Sequence, residues 1–158
     1  MRVLGIDPGF DRLGLAIVEG DPSKPVVVWS DCVLPAKGAP AARLADVYTA
    51  IIKALTEFTP DKISIETLFF STNKKTALAV AEARGAILAA AGARNVLVQE
   101  YSPGQVKLAV TGHGAANKAA IARMIPHLVT LDTRKRLDDE LDAIAVAIAG
   151  LADRSNTQ

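Results

Sequence analysis

Three runs rich in β-branched residues and leucine lie within the first 33 residues, and short turns join them. Residues 2–7, 12–18 and 26–33 have the composition of strands, because branched side chains suit a pleated backbone. Turn-forming residues separate these runs, which predicts an antiparallel meander of three strands. A chain that begins in this way is committed to a β-sheet, and the later segments must add to it.

Beyond the meander, strands alternate with helices. Further strands are predicted at 62–66 and 96–99, where short apolar runs are bounded by polar residues. Helices are predicted from Ala41 to Phe58, from Thr72 or Asn73 to Ala91 with a stop at Gly92, after Ser102, from Ala115, and from Asp138 to Leu151. The order βββαβαβααα predicts an α/β fold with a mixed sheet and helices on both faces.

Length and composition indicate one domain. A chain of 158 residues suits a single core, so we predict one domain over residues 1–153 and a polar tail over 154–158. Cys32 is the only cysteine, which excludes an intrachain disulfide and fits a reducing compartment. No stretch approaches the roughly 18 apolar residues that a membrane span needs, and we expect a soluble, cytoplasmic protein.

The net charge of +1 hides an uneven distribution. Residues 71–136 contain ten lysines and arginines against three acids, so this window carries +7 and the remainder carries −6. Such a division permits a polyanion-binding face next to a cation-binding site. Lysines that are merely solvated on helices would give the same count.

Acids occur at comparable places in three separate segments. Asp7 ends the first strand, Glu66 ends the fourth, and a group of acids opens the last helix. Within that group, Asp142 shares a helix face with Asp138 or Asp139. Turn chemistry and the helix dipole explain each acid singly. Together they predict a site for hard divalent ions such as Mg²⁺, and two such ions would suit phosphodiester hydrolysis.

Several motifs then occur in a fixed order along residues 1 to about 150. They are Gly5-Ile-Asp-Pro-Gly9, Glu66 followed by Phe69, Glu82-Ala-Arg-Gly85, Glu100-Tyr-Ser-Pro103, Val106-Lys107, Ala109-Val-Thr-Gly-His-Gly114, Lys118, and Asp139-Glu-Leu-Asp-Ala-Ile-Ala145. In this combination the chain resembles the RuvC family of Holliday-junction resolvases. The resemblance implies a ribonuclease H-like fold, a homodimer, and Mg²⁺-dependent paired nicking of four-way DNA junctions in recombination and repair.

The resemblance also implies roles for individual residues. The metal-binding acids are Asp7, Glu66, Asp139 and Asp142, with two Mg²⁺ ions per site and Mn²⁺ as a substitute. Lys107 and Lys118 are placed near the scissile phosphate, and Phe69 stacks on bases at the opened crossover. The DNA-binding set that we predict is Phe69, Asn73, Lys74, Lys75, Arg84, Lys107 and Lys118. A partnership with the RuvA/RuvB branch-migration complex is implied by the family only.

Departures from the family pattern leave some alternatives open. The family usually has Gln-Val after the glutamate, where this chain has Thr67-Leu68, and Ala-Ala between the last two acids, where it has Glu140-Leu141. Asp138 competes with Asp139 as the third ligand, and His113 lies in a loop from which it could reach DNA. The alternative functions are a YqgF-like nuclease, an actin-like nucleotide-binding protein, and a non-catalytic junction-binding protein.

Overall fold

A computed structural model describes residues 1–9, 11–67 and 74–153, apart from the side chains of residues 74–76. The strands are β1 (Arg2–Pro8), β2 (Leu13–Asp21), β3 (Lys24–Val33), β4 (Lys62–Glu66) and β5 (Leu97–Tyr101). The helices are α1 (Pro40–Phe58), α2 (Lys74–Ala93), α3 (Pro103–Thr111), α4 (Lys118–Leu128) and α5 (Asp138–Ala152). This order confirms the predicted α/β arrangement.

The five strands form one mixed sheet in the order β3-β2-β1-β4-β5. β1, β2 and β3 pair antiparallel as the predicted meander, whereas β4 is parallel to both β1 and β5. Because β1 and β4 are parallel neighbours, their carboxyl ends lie at the same edge of the sheet. Asp7 and Glu66 are therefore brought to one end of the molecule.

The core lies in two layers, one on each face of the sheet. Successive side chains of a strand point to opposite faces, so β1 contributes Val3 to one layer and Leu4 and Ile6 to the other. The first layer is completed by α3, α4 and α5, and the second by α1 and α2. Helices thus cover both faces, as the sequence order predicts.

Helix α5 packs against the sheet at backbone distance. A Cβ atom built on Gly5 would lie 2.1 Å from the carbonyl oxygen of Ala143, and one built on Gly14 would lie 2.0 Å from that of Asp139. Larger residues would push the helix away, so these glycines permit the close approach. The first turn of α5 is consequently held beside the carboxyl end of β1.

Two helix boundaries differ from the prediction by more than one residue. Helix α2 continues through Gly92 to Ala93, and Asn95 takes the left-handed conformation at φ 53°. Asparagine tolerates that conformation, and the glycine is not needed there. Helix α4 begins at Lys118 rather than near Ala115, because the Asn117 side chain caps it by accepting a hydrogen bond from the amide of Ala120.

The described residues contain no helix that is both long and apolar enough to cross a membrane.

Candidate active site

Four acids lie near the carboxyl ends of β1 and β4, where their charges act on one another. Asp7 and Glu66 come from the strands, and Asp139 and Asp142 come from the first turns of α5. The charge of Asp142 acts on both Asp7 and Glu66, while Asp139 acts on Asp7. Three distant segments of sequence therefore supply one cluster of negative charge.

The acids of this cluster are difficult to ionise together. Burial and then repulsion from Asp142, Asp139 and Glu66 raise the pKa of Asp7 to about 7, although Lys118 partly offsets this. Burial and then Asp142 raise the pKa of Glu66, and burial raises that of Asp142 despite its hydrogen bond with Lys118. A bound cation would relieve both the burial cost and the repulsion.

Two basic side chains are paired with acids of the cluster. The ammonium group of Lys118 lies 2.6 Å from a carboxylate oxygen of Asp142, and the guanidinium of Arg12 lies 3.3 Å from one of Asp139. Both basic side chains are more than half exposed, whereas the acids are about one-quarter exposed. The cations thus lie at the solvent side of the site. Arg12 was not predicted as a site residue, and its only sequence signal is a basic residue after the turn that follows Asp7.

A cleft of about 310 Å³ opens beside the cluster. Its polar lining combines two acids, Glu66 and Asp142, with two lysines, Lys107 and Lys118. The structure therefore brings both predicted lysines to the predicted acids. A larger groove of about 430 Å³ lies between β3 and α1, but none of these four residues lines it.

The donor set suits a hard divalent ion. Carboxylate oxygens from Asp7, Glu66, Asp139 and Asp142 are the ligands that Mg²⁺ and Mn²⁺ prefer. Over residues 1–9, 11–67 and 74–153, no group of three or more aspartate, glutamate, histidine or cysteine side chains is arranged as a preformed metal site. Two of the four acids are instead paired with Lys118 and Arg12, each through one carboxylate oxygen.

The choice between Asp138 and Asp139 has a structural basis. The carbonyl of Asp139 lies against Gly14, which is paired with Asp7 across β1 and β2. Asp139 raises the pKa of Asp7, whereas Asp138 is exposed and acts on Lys118 and Asp142. These contacts favour Asp139 as the third acid of the site.

The predicted DNA-binding residues are only partly gathered here. Phe69 and Asn73 lie outside the described residues, and the side chains of Lys74 and Lys75 are not described. Arg84 is ion-paired with Glu100 and its side chain is only 11% exposed, so this arrangement does not present it to DNA. Lys107 and Lys118 remain at the cleft. His113 is exposed between α3 and α4 and is not part of the cluster.

Asp7 should make the metal-free protein less stable at neutral pH than at pH 4. Its folded pKa of about 7 exceeds the ordinary 3.8, so the unfolded chain releases the proton first as the pH rises, and stability falls until about pH 7. Asparagine cannot titrate, so Asp7→Asn is expected to gain on the order of 2–4 kcal/mol over wild type at pH 8 and little at pH 4. Urea unfolding in EDTA at the two pH values checks this. An equal difference at both pH values would contradict it.

Comparison with known proteins supplies the family. The family model for crossover junction endodeoxyribonuclease RuvC matches residues 3–150. Proteins of that name from Moorella thermoacetica and Alkaliphilus oremlandii are each 42% identical to this chain; the matches cover 94% of it and 89% and 91% of those proteins. The structure of Thermus thermophilus RuvC in complex with Holliday junction substrate has a TM-score of 0.88 and 34% identity, covering 94% of this chain and 92% of that one. The yeast mitochondrial Holliday junction resolvase Ydc2 shares the fold, with a TM-score of 0.70 over 95% of this chain and 77% of that one, at 16% identity. This chain therefore belongs to the RuvC family of crossover junction endodeoxyribonucleases.

Proposed function

We propose that this protein is a metal-dependent endonuclease that resolves four-way (Holliday) DNA junctions by paired, symmetric nicking during recombination and repair. The observation that carries this proposal is the cluster of Asp7, Glu66, Asp139 and Asp142 beside a cleft that also holds Lys107 and Lys118. The junction complex of the Thermus thermophilus relative supports the substrate class. The match over residues 3–150 disfavours the YqgF-like and actin-like alternatives.

The four acids would hold the divalent ions, with Mg²⁺ as the expected metal and Mn²⁺ as a substitute. When bound, such ions provide a nucleophile at neutral pH and stabilise charge on the attacking and leaving oxygens of a phosphodiester. The acids themselves fix the position of the site relative to the cleft, because β1, β4 and α5 are all parts of the core.

The two lysines would bind and orient the scissile phosphate. Burial and Asp142 raise the pKa of Glu66, and Lys107 partly offsets this rise. Lys107 also lines the cleft, so its charge lies close to the acids, and it forms no ion pair among the described residues. Lys118 lines the cleft beside Asp142, and its side chain is 67% exposed, so its ammonium group is accessible to a phosphate. Donors at these positions would stabilise the negative charge that grows on the phosphate oxygens during cleavage.

The direct test is cleavage of a labelled four-way junction, with and without Mg²⁺, read on a denaturing gel. We expect nicks at symmetric positions in two strands that depend on the metal. A linear duplex of the same sequence is the control and should remain intact. Binding without any nicking would favour the non-catalytic alternative, and equal cleavage of the duplex would contradict selectivity for junctions.

Lys107→Ala should weaken junction binding and its dependence on salt. Without this phosphate contact, binding releases one counterion fewer. The slope of log Kd against log salt is therefore expected to fall by about 1. Arg94→Ala is the control. Arg94 lies just before β5, at the end of the sheet opposite the acid cluster, and its side chain hydrogen-bonds to Thr56 on α1. Fluorescence anisotropy across a salt series measures both. The same change in slope for both variants would argue against a specific role for Lys107.

We also propose a homodimer that forms through the outer side of α2. Leu78 is 63% exposed and Leu88 is 39% exposed, and both lie on that side, while Ile87 and Ala90 face the core. Exposed apolar residues along one side of a helix can form an interaction surface. Sedimentation equilibrium should show a dimer for wild type and a monomer for Leu88→Glu. Val28→Glu changes a similarly exposed residue on β3 and should leave the dimer intact. Loss of the dimer in both variants, or in neither, would contradict this interface.

The partnership with RuvA/RuvB stays a prediction.

A further inference from the structure

A partly buried ion-pair network joins the first turn of α5 to the edge of the sheet. Glu140 is 4% exposed, and its two carboxylate oxygens receive hydrogen bonds from Arg134 at 2.6 and 3.3 Å. The hydroxyl of Ser30, on β3, donates to Glu140 at 2.8 Å, and the amide of Leu137 donates at 3.2 Å. Each of these contacts ties α5 to another segment or caps its first turn.

The same network fastens the basic segment 131–137 along the outer side of β3. Arg134 donates to the carbonyl oxygen of Ser30 at 2.6 Å and to its hydroxyl at 2.7 Å. Arg136, whose side chain is 7% exposed, donates to that hydroxyl at 3.0 Å and pairs with Asp132. Just before this segment, Thr130 forms a parallel bridge with Val26 on β3. The segment is thus bound to β3 at several points before α5 begins.

The register of the strands places this network close to the acid cluster. Ser30 is two residues from Cys32 on β3, Cys32 is paired with Gly14, and Gly14 is paired with Asp7. Glu140 directly follows Asp139 and lies two residues before Asp142. All three are on the helical turn whose backbone packs against Gly14 of β2. A rotation or shift of this turn would move both acids relative to Asp7.

We propose that Glu140 is a positioning residue, which holds Asp139 and Asp142 in register with Asp7 through its contacts with Arg134 and Ser30. This inference rests on the proposed function of the four acids as metal ligands. Residues that orient metal ligands typically change metal affinity by about 10–100-fold when they are removed. In Glu140→Ala, Arg134 and Ser30 lose their shared partner while all four acids remain.

The test is titration of the metal-free protein with Mn²⁺ alone, followed through the spectroscopic signal of free Mn²⁺. Glu140→Ala is expected to bind Mn²⁺ about tenfold more weakly than wild type, with a circular dichroism spectrum that shows a folded chain. Glu19→Ala is the matched control. It removes another arginine–carboxylate pair, between Arg2 and Glu19 at 2.6 Å, at the opposite end of β1 and β2, and should leave Mn²⁺ affinity unchanged.

The outcomes separate the inference from the proposed function. If wild type and Asp7→Asn bind Mn²⁺ equally, the metal site itself is wrong. If wild type binds more tightly than Asp7→Asn but Glu140→Ala matches wild type, only the positioning role is overturned. Should Glu140→Ala not fold, Arg134→Lys carries the same test. A single ammonium cannot reproduce the bonds to both Glu140 oxygens and the Ser30 carbonyl, so a similar weakening is expected and an unchanged affinity overturns the proposal.

Discussion

Asp7→Asn is expected to abolish metal-dependent cleavage of four-way junctions, with a loss on the order of 10³-fold or more. Asparagine keeps the size of the side chain but removes the charge at the point where Asp139, Asp142 and Glu66 converge. Junction binding should be retained or slightly strengthened, because the substitution removes a negative charge from a surface that faces the DNA phosphates. Single-turnover cleavage in Mg²⁺ and junction binding in EDTA measure the two effects separately.

Asp11→Asn is the matched control for this variant. Asp11 lies in the same β1–β2 turn, is 82% exposed and pairs with Arg43 rather than with the acid cluster. Its replacement should leave cleavage unchanged. Full Mg²⁺-dependent cleavage by Asp7→Asn would contradict the assignment of this acid, and equal losses in both variants would indicate a disturbed turn instead.

The sequence was sufficient to predict the order of the elements and the segments that carry the acids, but not the choice between Asp138 and Asp139. Both rest on local signals, namely the spacing of apolar residues and the position of an acid at the end of a strand or the start of a helix. Because β1 and β4 are parallel neighbours, Asp7 and Glu66 reach the same edge of the sheet without any further specification. Helix limits were less predictable at Gly92, where the neighbouring Asn95 could take the left-handed conformation instead.

Contacts between distant segments could not be predicted in the same way. Arg12 and Asp139 are 127 residues apart, and Ser30 and Glu140 are 110 apart, so no periodicity connects them. The charge count of residues 71–136 also misses such pairs. Lys118 and Arg134 belong to that window but pair with Asp142 and Glu140, which lie outside it. The net charge of +7 therefore overstates the unpaired positive charge of this window.

Gly14→Ala is expected to reduce cleavage by about 10²-fold, because a displacement of about 1 Å in a catalytic group can have that effect. The new Cβ atom would lie 2.0 Å from the carbonyl oxygen of Asp139 and 3.2 Å from the Cβ atom of Asp7. The first is a backbone atom of α5, so relief requires a shift of the helix turn that carries Asp139. The strain should also lower the free energy of unfolding by roughly 1–3 kcal/mol. Single-turnover cleavage and urea unfolding measure these two changes.

Gly92→Ala provides the control for the change in backbone freedom. Gly92 lies within α2, and a Cβ atom there would meet no atom within 4 Å. Alanine is the better helix former, so this variant should gain about 0.5–1 kcal/mol in stability and cleave at the wild-type rate. If Gly14→Ala instead cleaved like wild type, the contact of β2 with Asp139 would not position the acid. If Gly14→Ala lost cleavage but kept its stability, the displacement would be confined to the site, and the close approach of strand and helix would act on catalysis alone.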